Sequence, residues 1–410
     1  MMEHSRKKIL FVHHGSGMGG APQLLLKLLL HIDRTRYEPV VWCIRRSSAS
    51  EMFSAHGFRV IIDEGAIPFL HISDGFYGIR HPHVLLKMLW GQLRSYRTAR
   101  RIIGQEAPDI IHLNSSVIPG ILFAASHGNC PVIINILECL HPGYTGLRRG
   151  LIIHLTKSWA DYFVFMLPSE AERWGLSDSP NTVIVFDFIE LDAFRTGADP
   201  GTLRRQLALP ETAVIVGYFG RFTRAKGVHL LLRALVLLRQ KRLPVHLLLV
   251  GPEETYTCAR GILGFKARKA PRTLQAHITG LGLEKDVTIM GERTDVGELV
   301  QQCDILAAPF IEPHFSRLCG EAAAAGRPTA AFNIDGPGEE IVDGKTGVLA
   351  HPEDIQDLAD KLEHLIRHPD ERKRMGRAAA AHADLLFSAE RNVLKVISLY
   401  VYAGKQACNE

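Results

Sequence analysis

Short apolar runs alternate along this chain with longer segments whose leucines recur at helical spacing. The first run, KKILFVHH from Lys7 to His14, ends in glycines and is followed by APQLLLKLLLHI, which reads as a strand, a loop and a buried helix. PVVWCI (Pro39 to Ile44) and RVII (Arg59 to Ile62) read as two more strands around a helix near Ala49 to His56, and DIIHL (Asp109 to Leu113) and PVIINIL (Pro131 to Leu137) extend the series. The second half restarts the pattern with AVIVGYFGR, the helix VHLLLRALVLLRQ, and then PVHLLLVGP, VTIMG, DILAAP and RPTAAFNI. Strands that alternate with helices predict doubly wound parallel sheets, so the fold class is α/β with two such domains.

The chain has 410 residues, and single cores rarely grow beyond about 250 to 300, which agrees with two domains. The expected division is a first Rossmann-like domain over 1–190, a linker over 191–212, a second Rossmann-like domain over 213–384, and a C-terminal helix over 385–410 that crosses back to the first domain. The linker is placed by acidic residues with Gly197, Pro200 and Gly201. Hydrophobic content of 46% and charged content of 22% exclude disordered and collagenous classes. A formal charge of +5, from 48 basic and 43 acidic residues, falls short of a nucleic-acid binder. The seven cysteines form no C-x-x-C pair and read as reduced thiols. The start is unlike a signal peptide and no apolar run reaches membrane-span length, so the expected location is the cytoplasm.

Three motifs carry chemistry. Gly15, Gly17 and Gly20 stand as G-x-G-x-x-G between strand and helix, where backbone N–H groups can approach a phosphate at a helix N-terminus. With Arg45 and Arg46 closing the second strand, a dinucleotide reductase is one reading and a tight packing turn is the other. DGKTG (Asp343 to Gly347) does not complete a P-loop, because Glu339 occupies the place of its first glycine. In GYFGRFTRAKGVHLLLRAL, Arg221 and Lys226 lie between a strand and a helix, where two cations can hold a diphosphate without a metal. Carboxylates downstream, in DILAAPFIEPHFSRLCGEAAAAG, can accept hydrogen bonds from ribose or sugar hydroxyls.

On these residues the chain resembles the family 4 glycosyltransferases, retaining enzymes of the GT-B fold that use nucleotide-diphosphate sugars. GGAP resembles the family's glycine loop, GRFTRAKG its G-R-x-x-x-x-K-G, VTIMGERTDVGELVQQCDILAAP its mid-domain pattern, and IEPHFSRLCGEAAAAGRPTAAFNIDGPGEEIVDGKTG its donor motif. The resemblance implies two domains facing across a cleft, with acceptor on the first and nucleotide sugar on the second. It implies that Gly19, Gly20, Arg221 and Lys226 bind the donor diphosphate, and that Glu312, His314, Phe315, Ser316, Arg317 and Glu321 surround the donor sugar and ribose. Glu138, His141 and Glu312 are the implied catalytic groups. The chain departs from the family at three places. Eight residues separate Glu312 from Glu321, one more than the family's spacing, which makes His314 an insertion or displaces the sugar-contacting carboxylate. Leu137 stands where many members have a histidine, and Asp187 where asparagine is usual.

No Asp-x-Asp occurs in the chain, so no metal ligand set and no cofactor are expected, the nucleotide sugar being a substrate. The implied reaction is front-face transfer of a sugar to a glycan or lipid-linked acceptor, with the departing phosphate helping to take the acceptor proton. A nucleotide-sugar epimerase of the same fold and a non-catalytic binding homologue remain as alternatives.

Two basic stretches stand outside this scheme. Ile79 to Gln105 carries Arg80, Lys87, Arg94, Arg97, Arg100 and Arg101 with no acid, interleaved with leucines and Trp90, and such a helix can lie on an anionic membrane. The simpler reading buries Leu85, Leu86, Leu89 and Leu93 in the core. Glu254 to Ile278, with Arg260, Lys266, Arg268, Lys269 and Arg272, reads as a solvated excursion.

Overall fold

The structure, a computed structural model, describes residues 6–15, 17, 20–72, 75–76, 82–141, 143, 145–199, 201–253, 256 and 273–406. The described chain divides into two units. The first runs to Phe188 and takes in the C-terminal helix Ala389–Gln406; the second is Ile189 to Ser388.

In chain order the strands of the first unit are β1 (Lys7–His13), β2 (Tyr37–Cys43), β3 (Arg59–Ile62), a two-stranded antiparallel ribbon β4 (His71–Ile72) and β5 (Gly75–Phe76), β6 (Ile110–Leu113), β7 (Val132–Ile136), β8 (Tyr162–Phe165) and β9 (Thr182–Ile184). The main sheet is parallel in the order β3-β2-β1-β6-β7-β8-β9. The second unit contains β10 (Val214–Phe219), β11 (Val245–Val250), β12 (Val287–Ile289), β13 (Ile305–Ala308), β14 (Thr329–Phe332) and β15 (Gly347–Ala350), parallel in the order β12-β11-β10-β13-β14-β15. In each sheet the order reverses beside the first strand, β1 or β10, which places a crevice at its carboxyl end.

The strands are mostly apolar because helices cover both faces, with His13, His112 and Asn135 among the buried polar exceptions. Ile9, Leu10, Phe11 and Val12 of β1 are all fully buried. Strands β8, β9 and β15 were not among the sequence-derived series; their runs are short and sit between stronger helical signals.

The segment read as a linker, 191–212, is packed into the second unit. Its 3-10 turn Leu191–Phe194 and helix Thr202–Gln206 bury Phe194 and Leu203. The Leu203 N–H donates to Gln302 Oε1 at 2.6 Å, and Arg204 pairs with Asp304 at 3.2 Å. The glycines and prolines that signal a linker shape turns here, while the apolar residues between them anchor the segment. The helix Ala389–Gln406 lies in the first unit, where Asn392 donates to the Phe186 carbonyl at 2.9 Å and Tyr400 meets Phe11 edge-on.

The helix Pro82–Glu106 turns its large apolar residues outward. Met88, Gly91, Ser95, Thr98, Ala99, Ile102 and Ile103 form its buried seam, whereas Leu86, Leu89, Trp90 and Leu93 are 56%, 49%, 72% and 55% exposed. This reverses the simpler sequence reading. At its middle the seam narrows to Gly91, which lies so close to Ile67 that a Cβ would come within 2.9 Å of it. On the helix Leu147–Trp159, Leu147 and Leu151 are likewise exposed. Arg80 and the basic run from Arg260 to Arg272 lie outside the described residues.

Candidate functional site

In the second unit the loops after β10 and β13 are locked together. Gly227, at φ +68°, closes the 3-10 turn Arg224–Lys226, and a Cβ there would lie 1.7 Å from the Pro309 carbonyl oxygen. Only glycine allows both the left-handed backbone and this approach. The Ile311 N–H donates to the Ala225 carbonyl at 2.9 Å, and the Tyr218 hydroxyl donates to the Arg221 carbonyl at 2.7 Å. These ties bring Lys226 Nζ over the Phe310 ring, 4.7 Å from its centre, and to within 2.5 Å of His314 Nε2.

His314 Nδ1 donates to the Glu312 carbonyl at 2.8 Å, which leaves Nε2 to accept from the lysine ammonium. The imidazole is therefore neutral. Burial, with Lys226 and then Arg221 nearby, pushes its pKa down to about 3. Its backbone is fixed as well, because Gly336, at φ +102°, brings the main chain so close that a Cβ would lie 1.9 Å from the His314 carbonyl oxygen.

Ser316 caps the helix Arg317–Ala324, its hydroxyl accepting from the Cys319 N–H at 3.3 Å. Its own N–H donates to Glu340 Oε1 at 2.8 Å. Glu321, one turn into that helix, pairs with Arg317 at 3.4 Å. Phe315 packs toward Phe387 at 6.3 Å between ring centres, a core contact. Of the sequence-derived donor residues, the structure joins Lys226 with His314 directly and Glu321 with Arg317. Phe310 and the buried carboxylate Glu340 were missed; neither type at those positions signals a role without the loop contacts.

In the first unit, Glu138 follows β7 and accepts from the Ser115 hydroxyl at 2.6 Å and the Ser116 hydroxyl at 3.1 Å. His14 Nε2 lies 4.0 Å from Glu138 Oε1. Burial lowers the His14 pKa, Glu138 raises it and Arg45 lowers it further. His141 is held in a different setting: the Gly143 N–H donates to its Nδ1 at 2.9 Å, and its ring lies 6.5 Å from that of His71. The partners that the structure gives Glu138 are thus His14, Ser115 and Ser116. The chemistry of HH and SS before and after short strands was visible in the sequence, but their convergence depends on the β1-β6-β7 neighbourhood. Gly20 opens the helix Gly20–His31; Gly19 lies outside the described residues. Asp187 is buried, and its Oδ1 accepts from the Phe188 N–H at 2.7 Å. DGKTG is the turn entering β15, where Asp343 Oδ1 accepts from the Leu349 N–H at 2.8 Å.

Among the described residues, His364, His368 and Glu371 bring three potential metal-ligand atoms within 4.8 Å of one another, His364 on the helix Ile355–Arg367, Glu371 on the helix Pro369–Leu386 and His368 between the two. None belongs to the loops described above.

Residues 200–382 match the sequence profile of the family described as glycosyl transferases group 1. The chain is 28% identical over 238 residues to a D-inositol 3-phosphate glycosyltransferase of Corynebacterium urealyticum, covering 57% of this chain and 54% of that protein. It is 32% identical over 207 residues to the protein of the same description from Corynebacterium aurimucosum, covering 50% and 47%. The chain thus spans about half the length of the curated relatives it matches. Among solved structures, Anabaena Alr3699/HepE in complex with UDP superimposes with a TM-score of 0.75 at 21% identity, over 96% of this chain and 100% of that one. A glycosyltransferase from Rickettsia africae gives a TM-score of 0.74 at 18% identity, over 97% and 99%. At these identities the structures establish the fold: this is a chain of the GT-B fold whose residues 200–382 are similar to the glycosyl transferases group 1.

Proposed function

We propose that the chain is a retaining glycosyltransferase that moves a sugar from a nucleotide-diphosphate donor to a glycan or lipid-linked acceptor without a metal ion. The observation that carries this reading is Lys226, seated on Phe310 and His314 in the loop that also holds Arg221. His314 accepts from the lysine as a neutral ring, and Lys226 and Arg221 give the loop the cationic groups that suit an anion. They lie on the unit that carries the group 1 profile.

In the reaction, the bond between the sugar's anomeric carbon and the phosphate oxygen breaks, and an acceptor hydroxyl attacks from the same face. The acceptor proton passes to the departing phosphate oxygen. Arg221 and Lys226 stabilise the charge that develops there, and Glu321 takes the donor ribose. Glu138, with His14, Ser115 and Ser116, orients the acceptor, while Glu312 and His141 remain proposed contributors.

The exposed Leu86, Leu89, Trp90 and Leu93, flanked by Lys87, Arg94 and Arg97, favour a finer reading in which the protein works peripherally at the anionic cytoplasmic face of a membrane on a lipid-linked acceptor. No helix among the described residues is long and apolar enough to cross a membrane.

The test is turnover of a panel of nucleotide sugars, read as release of nucleotide diphosphate, with anomeric configuration followed by NMR. Transfer with retention supports the reading. Binding without release would identify a nucleotide-sugar-binding protein, and conversion of one sugar nucleotide into another would identify an epimerase.

A further inference from the structure

Five buried polar side chains cross the first unit in a line. Tyr400, on the C-terminal helix, lies 2.6 Å from His112 Nδ1 on β6; His112 Nε2 lies 2.7 Å from Asn135 Oδ1 on β7. Asn135 Nδ2 donates to Asn114 Oδ1 at 2.8 Å, and Asn114 Nδ2 reaches both the Ala21 carbonyl at 3.0 Å and His13 Nδ1 at 3.2 Å. All five are at most 1% exposed.

The Ala21 carbonyl is a backbone acceptor and cannot reverse its role, so it sets the direction of the whole chain. Asn114 must aim its amide nitrogen at Ala21, and its oxygen then faces Asn135. Asn135 in turn accepts from a proton on His112 Nε2. His112 Nδ1 accepts from the Tyr400 hydroxyl. At the other end His13 Nδ1 accepts from Asn114, which puts the His13 proton on Nε2.

That Nε2–H is buried and has no protein partner among the described residues. It faces Gly15, where a Cβ would come within 2.9 Å of Nε2, so the position opposite the ring is occupied by a residue without a side chain. Burial, and then His14, push the His13 pKa down to about 3, so the ring donates as a neutral imidazole. An orphaned buried donor costs free energy and is retained where something binds.

We infer that His13 Nε2–H is a hydrogen-bond donor to an oxygen of bound substrate, phosphate or sugar hydroxyl, beside Gly15, and that Tyr400 acts through His112, Asn135 and Asn114 as a positioning residue for it. The inference rests on the proposed transferase reading for the identity of the substrate, though not for the proton positions. It also gives the return of the C-terminal helix to the first unit a role in the site.

The test uses the full chain with ¹⁵N-labelled histidine, in long-range ¹H–¹⁵N correlation spectra. Neutral rings protonated on Nε2 are expected for His13 and His112, and UDP-glucose should move the His13 Nε2 resonance. Inorganic phosphate and UDP, titrated separately, distinguish a phosphate oxygen from a sugar hydroxyl: a shift with either assigns the former, a shift with UDP-glucose alone the latter. His13→Phe should lower kcat/KM for UDP-glucose hydrolysis about tenfold; UDP affinity should fall with it if the bonded oxygen belongs to phosphate and stay within about twofold if it belongs to a sugar hydroxyl. Tyr400→Phe should lower kcat and shift the His13 resonance without direct contact. A proton on His13 Nδ1, or no movement of His13 with either ligand, overturns the inference even if His13→Phe fails to fold. A wild-type kcat/KM in a folded His13→Phe chain overturns it too. A wild-type chain that neither binds nor turns over any nucleotide sugar defeats the transferase reading instead, and the tautomer and phosphate results then decide the inference alone.

Discussion

Lys226 donates its ammonium proton to His314 Nε2 at 2.5 Å, so a residue between Glu312 and Glu321 seats the lysine of the loop after β10. His314 does more than fill a loop. Its ring is held between the Glu312 carbonyl and Lys226, beside Phe310 at 4.5 Å between ring centres.

Donor affinity should depend on both loop cations. Charge-assisted hydrogen bonds are worth roughly 1.5 to 3 kcal/mol each, so Arg221→Ala and Lys226→Ala should each weaken the cognate nucleotide diphosphate by about tenfold or more in calorimetry. Unchanged affinity in both variants would remove the donor assignment.

Turnover should survive excess EDTA. The reading places stabilisation of the leaving diphosphate on Arg221, Lys226 and the helix opening at Ser316. Loss of activity with chelator and recovery with magnesium or manganese would show that a metal does that work.

Glu321→Gln should raise the donor dissociation constant more than Glu312→Gln. Glu321 is held one turn into a capped helix and pairs with Arg317, while the backbone of Glu312 is committed to His314. The opposite ranking in nucleotide-sugar titrations would make Glu312 the ribose ligand.

Vesicle sedimentation should increase with anionic lipid and decrease with salt. Substituting Leu89, Trp90 and Leu93 by Ser should abolish it, and Arg94→Glu with Arg97→Glu should weaken it by about 1 kcal/mol per charge removed. Arg101, which pairs with Asp63, should contribute less. No sedimentation at low salt would leave the exposed apolar residues without a lipid role.

Acid should destabilise the first unit through its buried histidines. The His112 pKa is pushed down to about 4 by burial, against an ordinary value of 6.5, so between those values the unfolded chain binds the extra proton. Stability conferred by the neutral ring is therefore full above pH 6.5 and lost as pH falls toward 4, by up to about 1.4 kcal/mol per pH unit. His13 adds to the same slope down to about 3. Thermal melts from pH 7 to 5 should show a falling Tm, with a shallower fall in His112→Asn; a flat profile would contradict the buried neutral state.

The amino-acid sequence by itself made the two parallel-sheet halves legible, because the strands in KKILFVHH and AVIVGYFGR are built on continuous apolar runs, ILFV and AVIV, that local patterning reveals. It also placed Arg221 and Lys226 in a loop between strand and helix. Tertiary structure decided the rest. The linker became part of the second unit because Phe194 and Leu203 find a core there that local glycines and prolines do not disclose. The leucines of Pro82–Glu106 face outward because the buried seam runs through Met88, Gly91 and Ser95, with no room for a side chain at Gly91, a matter of what packs against the helix and not of its own period. The partners of Glu138 and the line from Tyr400 to His13 join residues separated by as many as 288 positions, and only the adjacency of β1, β6, β7 and the last helix brings them within hydrogen-bonding distance.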